Sequence, residues 1–347
     1  MDTQYKKIVI DAMGGDYAPE APVAGTLLAL QKYPNLSVTL VGTREALDRE
    51  LAGKEYDAAR LNLVYATQVV ENEEHSPVDA IKKKKDSSMV VGLNMIRHQE
   101  ADGMISAGNT GALLSGATLI AGRIRGVFRP ALTLALPTGQ TPTLLLDVGA
   151  NMDAKPQYLV QFAQMASIYY RSLYNVKEPR VALLNVGVEE GKGNQLAKET
   201  YDLLKTAPGI NFTGNIEARE YFNNQAEIIV TEGFAGNILL KGSEGLAAYM
   251  FSSIKKSLMS SLRTKIGALL IMPALKGLKN SLDPRTVGGT PLLGVNGAVI
   301  KAHGNSRAEA FVSAVEQCLK FIDTGVNRTI EEELAKAKAA GKEAGNE

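Results

Sequence analysis

Short apolar runs alternate with longer amphipathic segments along almost the whole chain. The runs KIVIDA, SVTLVG, LNLVYA, GMISA, ALTLAL, TLLLDVG, RVALLNVG, EIIVTEG and AVIKAHG are nearly continuous stretches of β-branched residues and leucine. That is the pattern of strands buried on both faces of a parallel sheet. Helix-like segments such as Ser76–His98 and Pro156–Leu173 separate most of them. Strands alternating with helices predict a layered α/β architecture with right-handed crossovers. The stretch PALTLALPTGQTPTLLLDVG differs, because its two strands are joined by a turn too short for a helix. It predicts a hairpin, and therefore a mostly parallel but mixed sheet.

From Gly236 to Leu282 the alternation stops and the pattern stays helical for longer than a crossover needs. Pro273 interrupts it, which predicts a bend or two helices in a hairpin. The expected organisation is one interlocked α/β unit over residues 1–330, with a helical excursion at 245–285 inside it. A charged, alanine-rich tail, 331–347, is expected as a fraying helix.

The 347 residues, 45% hydrophobic and 22% charged, are ordinary for a soluble globular protein and ample for a sizeable core. Net charge is +1, so no global field draws in nucleic acid, and any electrostatic preference must be local. Cys318 is the one cysteine. It sits in a helical pattern as a small buried residue, and with no intrachain disulfide available a reducing compartment is expected. The first residues carry no apolar segment of signal-peptide length, and the expected location is cytosolic.

The candidate chemistry lies in the loops that end strands. MISAGNTGALLSG places Ser106, Gly108, Asn109, Thr110 and Gly111 where an apolar run hands over to a helix. IIVTEGFAGNILLKG repeats the plan around Gly236 and Asn237, which is read as the start of the next helix. DVGAN brings Asn151, AHGNS brings His303, and DAMGGD sets Gly14 and Gly15 between aspartates. VGVEEGKGNQ adds Lys192 between two glycines at a helix start. In an open α/β sheet such loops line the ligand crevice at the carboxyl ends of strands. Gathered there, they offer backbone N–H groups and short amides to a phosphate or a carbonyl oxygen. Each loop alone is equally a tight turn; the set is what points to an anion-tolerant crevice.

Nucleotide and metal signatures do not fit. GVEEGKGN is one residue short of a P-loop, no Gly-x-Gly-x-x-Gly follows the first strand, and no spacing resembles a zinc site. No cofactor or metal is expected. Without a credible Ser or Cys triad, the reaction proceeds without a covalent enzyme nucleophile. The excursion carries Leu258, Leu262, Ile266, Leu269 and Leu270 at helical spacing beside a one-sided set of lysines and arginines. That is the form of a membrane-surface helix or a dock for an acidic partner, with a dimer-packing helix as the plainer alternative. KKKKDSS at 82–88 is a second basic run.

DAMGGD, KKDSSM, SAGNTGAL, LLDVGAN, GKGN, EGFAGN and LLGVNGAVIKAHG, in this order, resemble the bacterial phosphate acyltransferase family PlsX from Ile8 to about Arg328. The resemblance implies a three-layer α/β/α sandwich of the isocitrate/isopropylmalate dehydrogenase kind, assembled as a homodimer. It implies transfer of a fatty acyl group from acyl carrier protein to inorganic phosphate, peripheral association with an anionic membrane surface, and a downstream glycerol-phosphate acyltransferase that consumes the product. It also implies Lys192 and Asn237 as the central pair. Two departures are visible: Tyr17 stands where the family usually has histidine, and Glu232 where it usually has aspartate. A dehydrogenase, a coenzyme A phosphotransacetylase and a non-catalytic membrane scaffold are the rival readings. The first would need a nicotinamide fingerprint that this chain lacks.

Overall fold

Strand β1 (Lys6–Asp11) shows why the apolar runs are continuous. Ile8 and Ile10 enter one hydrophobic core while Val9, pointing the other way, enters a second. The same alternation recurs in β6 (Thr143–Leu146), β9 (Ile228–Val230) and β11 (Ala298–Lys301). A strand with both faces covered has no polar side to show in its sequence.

In this computed structural model residues 5–138, 141–281 and 288–343 are described. They form a single sheet of eleven strands. The remaining strands are β2 (Leu36–Gly42), β3 (Leu61–Tyr65), β4 (Gly103–Ser106), β5 (Ala131–Leu136), β7 (Arg180–Asn185), β8 (Asn211–Glu217) and β10 (Thr290–Leu293). Their order is β3-β2-β1-β4-β11-β10-β5-β6-β9-β7-β8. The expected hairpin is β5–β6, with Thr133 opposite Leu146. Strand β10, absent from the sequence reading, pairs antiparallel with both β11 and β5. All other pairings are parallel.

These pairings correct one expectation. Strands β1 to β4 and β11 run one way, whereas β6 to β9 run the other. The loops after β1, β4 and β11 therefore leave one edge, and those after β6, β7 and β9 leave the opposite one. The six glycine- and asparagine-rich loops do not gather at one edge.

One face is covered by α1 (Glu20–Lys32), α2 (Arg44–Leu51), α6 (Pro156–Tyr174), α7 (Gln195–Thr206), α10 (Ala308–Thr324) and α11 (Val326–Glu343). The other carries α3 (Pro77–Lys83), α4 (Ser88–Arg97), α5 (Thr110–Gly116) and the start of α8 (Gly233–Leu258). This is a three-layer sandwich. Close packing of α1 on α10 depends on Gly25, where a β-carbon would meet Phe311 at 2.5 Å.

The excursion is a helical hairpin of α8 and α9 (Leu262–Ser281). Its break falls at residues 259–261 and not at Pro273, which lies inside α9. Ser261 and Thr264 exchange hydrogen bonds there, which satisfies the first amides of α9 in the manner of a cap. Residues 282–285 of the expected excursion lie outside the described residues. The boundary expected at residue 330 falls inside α11, whose Ile330 and Leu334 are buried and whose Glu333 pairs with Arg171 of α6 at 2.7 Å. The beginning of the tail is thus anchored. Among the described residues no helix is long and apolar enough to cross a membrane.

Candidate active site

Two buried carboxyl groups organise the loops. Asp11, at the end of β1, accepts hydrogen bonds from Ser88 Oγ at 2.6 Å, Ser106 Oγ at 2.7 Å and the Met13 amide at 3.1 Å. Ser106 Oγ in turn accepts from the Gly108 amide. Asp147, just beyond β6, accepts from the amides of Leu132, Gly149, Ala150 and Asn151, and from Asn151 Nδ2 at 2.9 Å. Burial pushes both carboxyl groups above the usual range, while these donors pull them back down. Each aspartate ties down a glycine loop that could not hold its shape alone.

Glycines allow the loops to touch. A β-carbon on Gly14 would come within 2.6 Å of the Gly108 nitrogen, and one on Gly15 within 3.0 Å of the Gly304 carbonyl. The loops after β1, β4 and β11 therefore form one cluster. Asn109 caps α5 by accepting from the Ala112 amide, and its Nδ2 donates to the Asn72 carbonyl. His303 Nδ1 accepts from the Asn305 amide at 3.3 Å.

Beside this cluster opens a cavity of about 1550 Å³. Its polar end holds Gly108, Asn109, Thr110, Gly111, Lys301, His303 and Asn305, together with Asn237 and Lys241 from α8. Its long wall is apolar: Leu132, Leu134 and Leu136 from β5, Leu145 from β6, and Leu240, Met250, Phe251 and Ile254 from α8. Helix α8 starts at the far sheet edge but runs along this wall; the Asn237 side chain lies by Gly149 of the loop after β6, and Lys241, one turn on, faces Lys301 of the other half.

The expected residues thus divide. Gly108, Asn109, Thr110, Gly111, His303 and Asn237 line the cavity. Ser106, Gly14, Gly15, Asn151 and Gly236 stand behind it as supports. Asn151 Nδ2 also donates to the Pro130 carbonyl, and Gly236 lies against the Asp147 carbonyl. Lys192 is outside the lining of the cavity in its own chain. Its loop follows β7, and its carbonyl accepts from Asn185 Nδ2. Asn237 does not open α8; Glu232 is the cap, accepting from the amides of Phe234 and Ala235. The glutamate that departs from the family's aspartate therefore does an aspartate's work. Tyr17 is exposed, with the Arg307 guanidinium 4.2 Å above its ring.

The five apolar residues of the hairpin split from the cavity. Leu262, Ile266, Leu269 and Leu270 are 63% to 81% exposed, and Leu258 is half-buried; none lines the cavity. The cavity's apolar wall comes instead from an earlier part of α8 and from β5, residues that a core reading of the sequence absorbs without remark. Lys301 was hidden in the same way, as the last residue of an apolar strand. Lys241 is visible in the sequence only as one helical turn beyond Asn237. No cluster of three or more His, Cys, Asp or Glu placed to hold a metal occurs among the described residues.

Residues 6–329 match the family model of the fatty acid synthesis protein. A phosphate acyltransferase of Clostridioides difficile is 48% identical over 331 residues, covering 95% of this chain and 96% of that protein. One of Dictyoglomus thermophilum is 46% identical over 336 residues, covering 96% and 99%. Among solved structures, the EutD phosphotransacetylase of Staphylococcus aureus has the same fold, with a TM-score of 0.58, 17% identity, and 94% and 95% of the two chains covered. So does a 4-hydroxythreonine-4-phosphate dehydrogenase of Klebsiella pneumoniae, with a TM-score of 0.52, 11% identity, and 92% and 99% covered. The chain belongs to the fatty acid synthesis protein family and is, by homology, a phosphate acyltransferase.

Proposed function

We propose that the protein transfers a fatty acyl group from the thioester of acyl carrier protein to inorganic phosphate, giving acyl phosphate for phospholipid synthesis. The observation that carries this reading is a cavity that joins a polar end to a long apolar wall. Its volume of about 1550 Å³ exceeds the ~300–1,000 Å³ of ordinary small-ligand sites. An acetyl group leaves such a wall unused, whereas each methylene of a long chain buried against it contributes about 0.8 kcal/mol.

The chemistry fits the residues. A phosphate oxygen attacks the thioester carbonyl carbon, a C–O bond forms, and the carbonyl oxygen becomes an oxyanion. Collapse breaks the C–S bond, the thiolate leaves with the electron pair, and the proton of hydrogen phosphate ends on the thiol. Phosphate is already an anionic nucleophile and the thiol is a good leaving group. What the protein supplies is placement and oxyanion stabilisation. We assign orientation of phosphate or donation to the oxyanion to Asn237, supported by the backbone amides of Gly108–Gly111. Lys192 is kept as a phosphate partner on motif grounds, and mixed dimers decide whether it serves the cavity of its own chain or that of a second copy.

The exposed apolar hairpin supports peripheral contact with anionic membranes, from which a glycerol-phosphate acyltransferase takes the product. The basic residues of the excursion and of 82–85 suit an acidic carrier protein. The deciding experiment is acyl phosphate formation from phosphate and a long-chain acyl carrier protein, run beside long-chain and acetyl coenzyme A. Turnover only with acetyl coenzyme A would transfer the assignment to a phosphotransacetylase, and turnover with none of them to a non-catalytic scaffold.

A further inference from the structure

Three cations line the cavity among the described residues: Arg219, Lys241 and Lys301. Arg219 is paired with Glu217 and Glu220, and Lys241 with Glu244 at 2.8 Å. Lys301 is different. It ends β11 beside Ser106 of β4, and among the described residues its ammonium donates only to the carbonyls of Ala107 and Ala302. Among the described residues no carboxylate stands at ion-pair distance from it.

An ammonium has three N–H donors, and two neutral carbonyls leave one donor unused and form no ion pair with the charge. Desolvation pulls its pKa down to about 8. The charged groups facing it are Asp11 from β1 and Asp16 from the following loop, which favour the proton, and Lys241 from α8, which opposes it. Neither carboxylate forms an ion pair with it. Asp11 is held by Ser88, Ser106 and the Met13 amide, and Asp16 accepts from Asn72 Nδ2. A partly desolvated cation without a counterion is costly unless a ligand provides one. The loops around it, Ala107–Gly111 and His303–Asn305, belong to the polar end and not to the apolar wall.

We propose that Lys301 is the cation that receives the attacking inorganic phosphate in this cavity, binding it through its remaining N–H and its charge. The assignment rests on the acyl-transfer reading and adds to it the residue that binds the nucleophile within one chain. With phosphate against Lys301 at the polar end, the thioester carbonyl lies between that end and the apolar wall, within reach of Asn237.

The test is calorimetric titration of inorganic phosphate into the folded full-length protein and into Lys301→Gln and Lys301→Arg, well below and well above pH 8. Wild-type affinity is expected to fall as pH rises through about 8, where the ammonium loses its proton. Lys301→Gln should bind phosphate roughly tenfold more weakly or worse at the lower pH and show little further fall. Lys301→Arg should keep binding at the higher pH, because a guanidinium stays protonated. Phosphate's own ionisation is common to all three proteins and cancels in the comparison. Wild-type-like phosphate binding by Lys301→Gln overturns the assignment. So does a wild-type affinity that, after correction for phosphate ionisation, is flat through pH 8, a result that needs no variant to fold. In either case acyl phosphate formation by the wild type leaves the acyl-transfer reading standing; its absence with every acyl donor overturns that reading separately.

Discussion

Gly236 lies against the backbone carbonyl of Asp147 so closely that a β-carbon on Gly236 would come within 1.9 Å of that oxygen. Two loops at the same sheet edge meet here, one after β6 and one opening α8, and neither neighbour is a flexible side chain. The contact fixes where α8 leaves the sheet, and so where Asn237, the next residue, points. Gly236→Ala must shift one backbone or the other. Overpacking of this kind costs about 1–3 kcal/mol, and more when the obstacle is backbone. We expect a lower denaturation midpoint and a loss of turnover larger than the stability change explains. Wild-type turnover in a folded Gly236→Ala protein would mean that α8 tolerates a different exit.

Asn237→Ala should lower kcat by roughly 10²–10³ if its amide donates to the oxyanion, with little change in stability because the side chain faces the cavity. Lys192→Ala should raise the phosphate KM as well as lower kcat. Since Lys192 does not line the cavity of its own chain, mixed dimers of the two variants are informative. Recovered activity in the mixture, absent from either variant alone, places the lysine across a subunit boundary.

How far the sequence could be read follows from which forces act locally. Strand runs, the β5–β6 hairpin and the strand-to-helix handover at Ser106–Thr110 depend on neighbours in the chain, and all are legible. The direction of β6 to β9 is not, because it is decided by β10, a four-residue strand whose pairing with β5 spans more than 150 positions. The helix break at 259–261 is not legible because Pro273 is the stronger local signal; α9 accommodates that proline, and Ser261 with Thr264 caps the new helix. Lys301 carries no signal in the sequence because its meaning comes from Ala107 and Asp11, which only the folded sheet brings near it. The family motifs identified Asn237 but not its position in the second turn of α8, because capping depends on Glu232.

The apolar wall gives a prediction about substrate length. Ala247 lines the cavity from α8 among larger neighbours. Ala247→Phe should fill space that a long chain needs, raising KM for long acyl donors while sparing short ones. An equal effect on every chain length would indicate damage to α8 and not occlusion.

Glu316 of α10 gathers Lys320 at 2.9 Å, Tyr33 Oη at 2.8 Å and Lys32 at 3.0 Å. Hydrogen bonds from Lys320 first, then Tyr33 and Lys32, hold its carboxyl at about 2, below the ordinary ~4.3 of glutamate. A folded-state pKa below the unfolded one stabilises the fold above about 4.3, and this stabilisation is lost as pH falls towards about 2. Glu316→Gln should therefore lower the denaturation midpoint at neutral pH and flatten its acid dependence in that window. Because the side chain is more than a third exposed, the effect is small and weakens with salt. An unchanged acid profile would show that the cluster does not persist in solution.

The tip of the α8–α9 hairpin separates membrane contact from catalysis. Leu262 is 81% exposed and Ile266 63%, on a helix whose neighbouring Lys255, Lys256, Arg263 and Lys265 supply positive charge. Neither apolar residue lines the cavity, so neither is needed to hold an acyl chain. Leu262→Glu with Ile266→Glu replaces two apolar groups by two anions facing an anionic surface, which removes burial and adds repulsion at once. Flotation with anionic vesicles should find the variant free of lipid while the wild type is bound. Turnover on soluble acyl carrier protein should be nearly unchanged, since the cavity wall ends at Ile254 on α8, before the tip. Retained vesicle binding would make the hairpin tip a packing element between copies of the chain. Loss of soluble turnover together with binding would show instead that the tip shapes the cavity from a distance.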